Sequence, residues 1–308
     1  MEVNRQNERH AFCIMAHTDP LCLETLIKLL DHPLNDIFIH IDKKSNDINE
    51  TSLKTSFSKL IILPESQRLD VRWGGLSQVK AELALFDRAI KEDNYAFIHL
   101  LSGVDLPLKK NDEIHEFFRN LPAGTNLVSY SHGESIEKNV EFKTNYFHPF
   151  VENQRFRTDG NICHFFQDFC AKGFRFLSVN FQKKLGIKRK WNDLQLRKGS
   201  NWVSISNDFA QYLVENSHYI LKKFRWVICP DEIFIHTMLF NSSFKETIWD
   251  YYNTKEDIRK IDWERGEPYT WTKDEFQELT KSKALFARKF SSLKDIEIIK
   301  AIENHILS

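Results

Sequence analysis

Ala11–Ala16 (AFCIMA) runs straight into His17-Thr18-Asp19-Pro20, and Leu21, Leu23, Leu26, Ile27 and Leu30 follow. Six apolar residues in a row are the length of a buried strand, while the later set recurs at helical spacing. Between them Thr18-Asp19 offers an N-cap, and Pro20 stands at the first helical position, where its missing N–H costs nothing. The pattern repeats down the first half. Ile37–Ile41 (IFIHI) reads as a second strand, broken by Asp42-Lys43-Lys44, and Leu60–Leu63 as a third. After the tight Val71-Arg72-Trp73-Gly74-Gly75 loop, a helix begins near Ser77 with Val79, Leu83, Phe86 and Ile90 on one face. Phe97–Leu101 is a further strand and ends in Ser102-Gly103-Val104-Asp105. Buried strands alternating with amphipathic helices predict an α/β layered fold. In such sheets ligands gather outside the carboxyl ends of the strands. The loops carrying Thr18, Asp42 and Ser102–Asp105 therefore share one face.

The second half is less regular. Residues 130–198 are rich in aromatics and charge, and the chain closes with Ile296, Ile299, Ile302 and Ile306 at helical spacing. Between 183 and 198, Lys183, Lys184, Lys188, Arg189, Lys190, Arg197 and Lys198 face only Asp193. That stretch reads either as a solvated face or as a dock for an anionic membrane or a phosphate-bearing acceptor. No repeat or linker interrupts the 308 residues, so one domain is expected. With 43 Lys and Arg against 43 Asp and Glu, the chain lacks the basic excess of a general nucleic-acid binder. A hydrophobic content of 42% and 25 Phe exclude a disordered chain, and Gly and Pro, 10 and 8, exclude collagen-like composition. The five cysteines show no metal-ligand spacing and read mostly as core thiols, as with Cys13 and Cys229. Met1–His10 is polar and no apolar run reaches the roughly 20 residues of a membrane span, so a cytoplasmic location is expected.

The familiar phosphate and metal motifs are missing: no GxxxxGK[ST], GxGxxG or HExxH, and no Asp pair at i and i+2. The remaining candidates are local concentrations of unusual residues. Trp73-Gly74-Gly75 suits either a close backbone approach to a ligand or a tight turn. Ser102–Asp105 places a polar cluster at a strand end. Ser200-Asn201-Trp202 pairs small polar residues with an indole. Pro230-Asp231-Glu232 precedes the apolar run Ile233–Phe240; the acids serve either as partners of the helix dipole or as a general base with a pKa raised by desolvation. In Leu285–Phe290 two cations, Arg288 and Lys289, are bracketed by apolar residues and held in place to stabilise a diphosphate leaving group.

Taken in order, AHTDP (16–20), HIDKKSN (40–46), VRWGG (71–75), LLSGVDLPLKKNDEI (100–114), GSNWVSIS (199–206), PDEIFIHTMLFNS (230–242), IRKIDW (258–263) and LFARKF (285–290) resemble the core-2/I-branching and xylosyltransferase family of glycosyltransferases. The resemblance implies a GT-A fold, a Rossmann-like mixed sheet flanked by helices. It further implies a UDP-sugar donor, inversion at the anomeric carbon and no divalent metal, so that the missing Asp pair is expected. About 10–125 would form the nucleotide-binding half, and about 126–308 the acceptor side.

By the same resemblance Glu232 matches the catalytic base, and Arg288 with Lys289 the residues gripping the diphosphate. Asp42 matches an acid at the nucleoside, and His17 lines the same pocket. Trp73 with Gly74 and Gly75, and Ser102 with Asp105, fall on the donor side. Ser200, Asn201 and Trp202 fall on the acceptor side, Arg259 is a supporting cation, and Asp231 caps the helix that positions Glu232. Asn201 stands where xylosyl-transferring members carry an acid, which weakens a xylose-to-serine reading. The animal members' anchor and disulfides are not matched, which implies a bacterial-type cytosolic relative acting on a glycan or lipid-linked glycan, with peripheral membrane contact through 183–198. The rivals are a glycoside hydrolase, which needs a second carboxylate about 5–10 Å from Glu232, and a binding protein that has lost catalysis.

Overall fold

His10–Ala16 (β1) is the middle strand of a five-stranded sheet. The computed structural model describes residues 8–131, 133–153, 162–191, 194–249, 258–266 and 268–308. Along the chain β1 is followed by α1 (Pro20–Leu30), β2 (Asn35–Ile41), β3 (Lys59–Ile62), α2 (Leu76–Glu92) and β4 (Phe97–Ser102). Next come β5 (Asp105–Pro107), α3 (Asn111–Arg119), β6 (Tyr130–Ser131), α4 (Glu134–Thr144) and α5 (Ile162–Lys184). The rest comprises β7 (Lys198–Gly199), β8 (Ser204–Ile205), α6 (Asn207–Glu215), α7 (Ser217–Phe224), α8 (Asp231–Phe240), β9 (Arg259–Ile261), α9 (Phe276–Lys281), β10 (Phe286–Arg288) and α10 (Ile296–Leu307).

The main sheet has the order β3-β2-β1-β4-β8, parallel except for β8, which runs antiparallel to β4. This is the Rossmann-like mixed sheet of the GT-A expectation. Alternate residues of β1 point to opposite faces. Phe12, Ile14 and Ala16 enter the core under α1 and α10, whereas Ala11, Cys13 and Met15 enter the one under α2, α6, α7 and α8. Two apolar layers thus explain why the parallel strands read as unbroken apolar runs. Within α10 the buried stripe is Ile298, Ile299, Ile302 and Ile306; Ile296, expected on that face, is 36% exposed.

The register aligns the strand ends. Ala16 pairs with Ile41 and Met15 with Ser102, so the loops after β1, β2 and β4 emerge together. Asp19 accepts the Cys22 N–H at 3.1 Å as the cap of α1, and also accepts the N–H and hydroxyl of Ser292, each at 2.7 Å. That staples the segment after β10 to the first turn of the fold. A second sheet, β5-β10-β9, collects residues distant in sequence: Arg288 stands opposite Asp105, and Phe286 beside Arg259. A third, β6-β7, lies against α8. Gly199 permits that packing, because a Cβ there would come within 2.0 Å of the Ser129 carbonyl oxygen and 2.4 Å of His236 Nε2.

Candidate active site

A cavity of about 430 Å³ opens where β7, β9 and the N-terminus of α8 meet. Glu232, Ser200, Asn201, Trp202 and Arg259 all line it, with Lys198, Ser129, Ser131 and Trp263. These five residues, proposed from separate segments, are brought together by the fold. Glu232 is the sole carboxylate among the described lining residues. The second acid that a glycoside hydrolase needs at the sugar is therefore not among them.

Glu232 sits in the first turn of α8. Its carboxylate is held by Lys143 Nζ at 2.6 Å and Lys198 Nζ at 3.2 Å. Burial pushes the Glu232 pKa up, but the charges and hydrogen bonds of Lys143 and Lys198 outweigh it and leave the group below the usual glutamate range. Of the two adjacent acids, the one with the raised pKa is therefore not Glu232, where two cations overcome the desolvation. The raised acid is its neighbour. Asp231 is pushed up to about 7, first by burial and then by the charge of Glu232. It does not cap α8 as expected. Pro230 holds the cap position, and Asp231 is the first helical residue, 7% exposed.

Behind Asp231 lies a second buried acid. Glu82, on α2, is fully buried, and desolvation followed by the charge of Asp231 raises its pKa well above the normal value. Asn201 Nδ2 donates to Glu82 Oε1 at 3.4 Å. Asn201 thereby joins the cavity wall to this buried acid pair.

The residues expected on the donor side lie at or near the strand ends, apart from the cavity lining. Asp42 is buried, accepts the Lys44 N–H at 2.9 Å and lies 3.4 Å from Lys44 Nζ. The His17 carbonyl accepts the Ser45 hydroxyl at 2.8 Å, joining the loops after β1 and β2. Trp73 is half exposed; Gly74 has φ +71°, a geometry that favours glycine, and its carbonyl accepts the Cys229 N–H at 2.9 Å. Gly75 is the N-cap of α2. The Trp73 loop is thus joined directly to the segment that leads into Glu232. Asp105 accepts the Ser102 N–H at 2.9 Å and pairs with Arg288 Nη1 at 2.8 Å. Burial still raises the Asp105 pKa, against the pull of Arg288. The Arg288 guanidinium lies 4.3 Å from the centroid of the Trp202 ring, which lines the cavity. Lys289, on the same segment, is half-buried.

Arg259 has a more direct place than its supporting role implied. It is 6% exposed, lines the cavity, and donates from Nη2 to the Val203 carbonyl at 2.7 Å and to Ser204 Oγ at 3.0 Å. Lys143 and the Glu82–Asp231 pair escaped sequence reasoning, and only Lys198 carried a signal, as a member of the basic stretch beside Gly199–Trp202. Among the described residues no three His, Cys, Asp or Glu side chains cluster as metal ligands.

The site thus brings together, at a sheet-edge cavity, a carboxylate held by two lysines, the Arg259 side chain and the Trp202 indole. The sequence pattern of the Core-2/I-Branching enzyme family is matched over residues 10–284, and the chain belongs to that family. It is 24% identical over 335 residues to xylosyltransferase sqv-6 of Caenorhabditis briggsae, covering 100% of this chain and 36% of that protein. With xylosyltransferase 1 of Rattus norvegicus it shares 23% over 318 residues, covering 97% and 35%. The chain thus spans about a third of the length of these relatives. Against the crystal structure of mouse xyloside xylosyltransferase 1, apo form, the identity is 13% and the TM-score 0.39, over 91% of this chain and 97% of that one.

Proposed function

We propose that the chain is an inverting glycosyltransferase that moves a sugar from a UDP-sugar to a hydroxyl of a glycan acceptor, without a divalent metal. The acceptor oxygen forms a bond to the anomeric carbon from the face opposite the leaving group. The bond from that carbon to the diphosphate oxygen breaks, its electron pair leaves with UDP, and the hydroxyl proton passes to Glu232. An α-linked donor then yields a β-glycoside. By the family resemblance Arg288 and Lys289 receive the charge that grows on the departing diphosphate. The observation that carries the reading is the placement of Glu232: ionised at neutral pH and facing a cavity of sugar size that Trp202 and Arg259 also line. An ionised carboxylate is ready to accept a proton throughout the neutral range.

The named relatives keep xylose among the donor sugars, beside GlcNAc, glucose and galactose, while Asn201 in place of an acid speaks against serine as acceptor. The setting we assign is the assembly of a surface polysaccharide on the cytoplasmic side of a membrane. Release of UDP from UDP-GlcNAc, UDP-xylose, UDP-glucose and UDP-galactose, with and without EDTA, tests the reaction. Turnover should survive chelation, and its loss in EDTA overturns the metal-free step. Glu232→Gln should keep donor affinity and lower turnover by roughly 10²–10⁴-fold; a variant of full activity removes Glu232 as the base.

A further inference from the structure

Among the described residues, α5 carries an outward face that contradicts its setting. Its described half, from Phe169 to Lys184, is anchored from below: Ala171, Val179 and Gln182 are buried, and Gln182 pairs with both the N–H and the carbonyl of Phe147, each at 2.8 Å. Its outer face carries Phe169, Phe174, Phe176, Leu177 and Phe181, continued past the helix by Leu185, all more than half exposed. Phe174, Leu177, Phe181 and Leu185 follow at steps of three and four, so they form one stripe along the helix. Phe150, half exposed, extends the patch, its ring edge-on to Phe174 with centroids 5.4 Å apart. On the order of 600 Å² of apolar side chain lies open there, the upper end of what an ordinary monomer shows in one patch.

The charges around the stripe say what covers it. From Phe169 to Trp191 the sequence holds seven cations, Lys172, Arg175, Lys183, Lys184, Lys188, Arg189 and Lys190, and no acid. Lys183, Lys184, Lys188 and Lys190 are exposed. A second copy of the chain would bring seven cations against seven. An anionic surface complements them, and a fluid apolar layer accepts the phenylalanines without needing a matching shape. The basic stretch does not act as a block, however. Arg189 is packed between Trp191 and Phe147, Arg197 lies over Phe240, Lys198 belongs to Glu232, and Asp193 lies outside the described residues. The contact moves from 183–198 to the face running from Phe169 to Lys190.

We propose that this face is an interfacial dock for an anionic lipid bilayer, with the phenylalanine stripe inserted and the lysines of residues 183–190 at the headgroups. α4 links the dock to the cavity: Phe142 shares the exposed side with Lys183, and the next residue, Lys143, holds Glu232. Resting on the glycosyl-transfer reading, the dock would hold the cavity beside a lipid-linked acceptor.

Vesicle sedimentation of the full chain, without donor, tests the dock apart from the chemistry. Vesicles of phosphatidylcholine with phosphatidylglycerol should bind the protein at least about tenfold more tightly than phosphatidylcholine alone, and added salt should weaken the binding. Phe176→Ser with Phe181→Ser should lower it roughly tenfold or more, since each exposed ring contributes through its burial in the lipid. Lys183→Glu with Lys184→Glu should remove the preference for phosphatidylglycerol. Both pairs are exposed, and UDP release on a soluble acceptor should be unchanged in each. Failure of the wild type to bind the anionic vesicles overturns the dock, whatever the activity. So does a stable dimer in sedimentation velocity that Phe176→Ser with Phe181→Ser breaks.

Discussion

Glu232 stands between two opposing influences, partial burial and two lysines, and the lysines prevail. The carboxylate stays ionised well into mildly acidic solution, so with Glu232 as the proposed base, activity should persist there. Lys143 is the nearer cation, and its Nζ is mostly enclosed. Removing it leaves desolvation less opposed, and the pKa of Glu232 rises. Since a base works above its pKa, the acidic limb of the kcat/KM profile should move to higher pH in Lys143→Met and return in Lys143→Arg. A limb at the same pH in all three proteins refutes the control of Glu232 by Lys143. The acid pair entering an apolar helix marks Glu232, but the residues alone leave it open between a partner of the helix dipole and a base, and only the family resemblance chooses. Lys143 was not legible in the sequence, since nothing in a lysine on an amphipathic stretch 89 residues away marks it as a partner. Arg288 was legible as a fixed cation, but its pairing with Asp105 depends on an antiparallel register that only the second sheet reveals.

Helices α2 and α8 meet through two carboxyls, Glu82 and Asp231, where apolar side chains would ordinarily pack. Desolvation and mutual repulsion lift the pKa of Glu82 in the folded chain above its unfolded value of 4.5. A carboxyl with a raised folded pKa binds its proton more tightly in the native state, so its contribution to stability falls as pH rises above 4.5. Glu82→Gln keeps the shape and the capacity to accept from Asn201, and it removes that dependence. The variant should match the wild type near pH 4 and exceed it by on the order of 1–3 kcal/mol at neutral pH. Urea unfolding at both pH values checks this, and an equal or less stable variant at neutral pH shows that the pair is not a burden. The elements themselves were largely readable. Parallel strands buried on both faces leave continuous apolar runs, and Asp19-Pro20 marks a helix start. By contrast β5, β6, β7, β9 and β10 have two or three residues each, too few for any period to show, and β6, β7 and β9 line the cavity.

Across the whole molecule the buried histidines set the response to acid. His99 lies on β4 with Nδ1 2.7 Å from Ser204 Oγ and Nε2 3.0 Å from His10 Nδ1, and His115 Nε2 is 2.9 Å from Asn35 Oδ1. Ser204 Oγ also accepts from Arg259, so this chain of polar contacts runs from the cavity wall beneath the sheet. Burial lowers the pKa of His10 and His99 well below 6.5, and brings His115 and His236 to about 4. Between pH 6.5 and 4 the unfolded chain therefore binds protons at these positions that the native chain refuses. The stability they preserve is complete above about 6.5 and is lost as the pH falls toward 4, on the order of 3 kcal/mol for a histidine shifted as far as His115. Glu82 and Asp231 act in the opposite sense over part of the same range, because acid relieves their repulsion. With His40, also lowered by burial, and His148, brought to about 4, six buried histidines among the described residues outweigh that pair, so the urea midpoint should fall steadily from pH 6.5 to 4.5. Glu82→Gln should show a steeper fall than the wild type, having lost the opposing contribution. A midpoint that stays level across that interval in the wild type would falsify the neutral, buried state of the histidines, and with it the account of how the core beneath Arg259 is held.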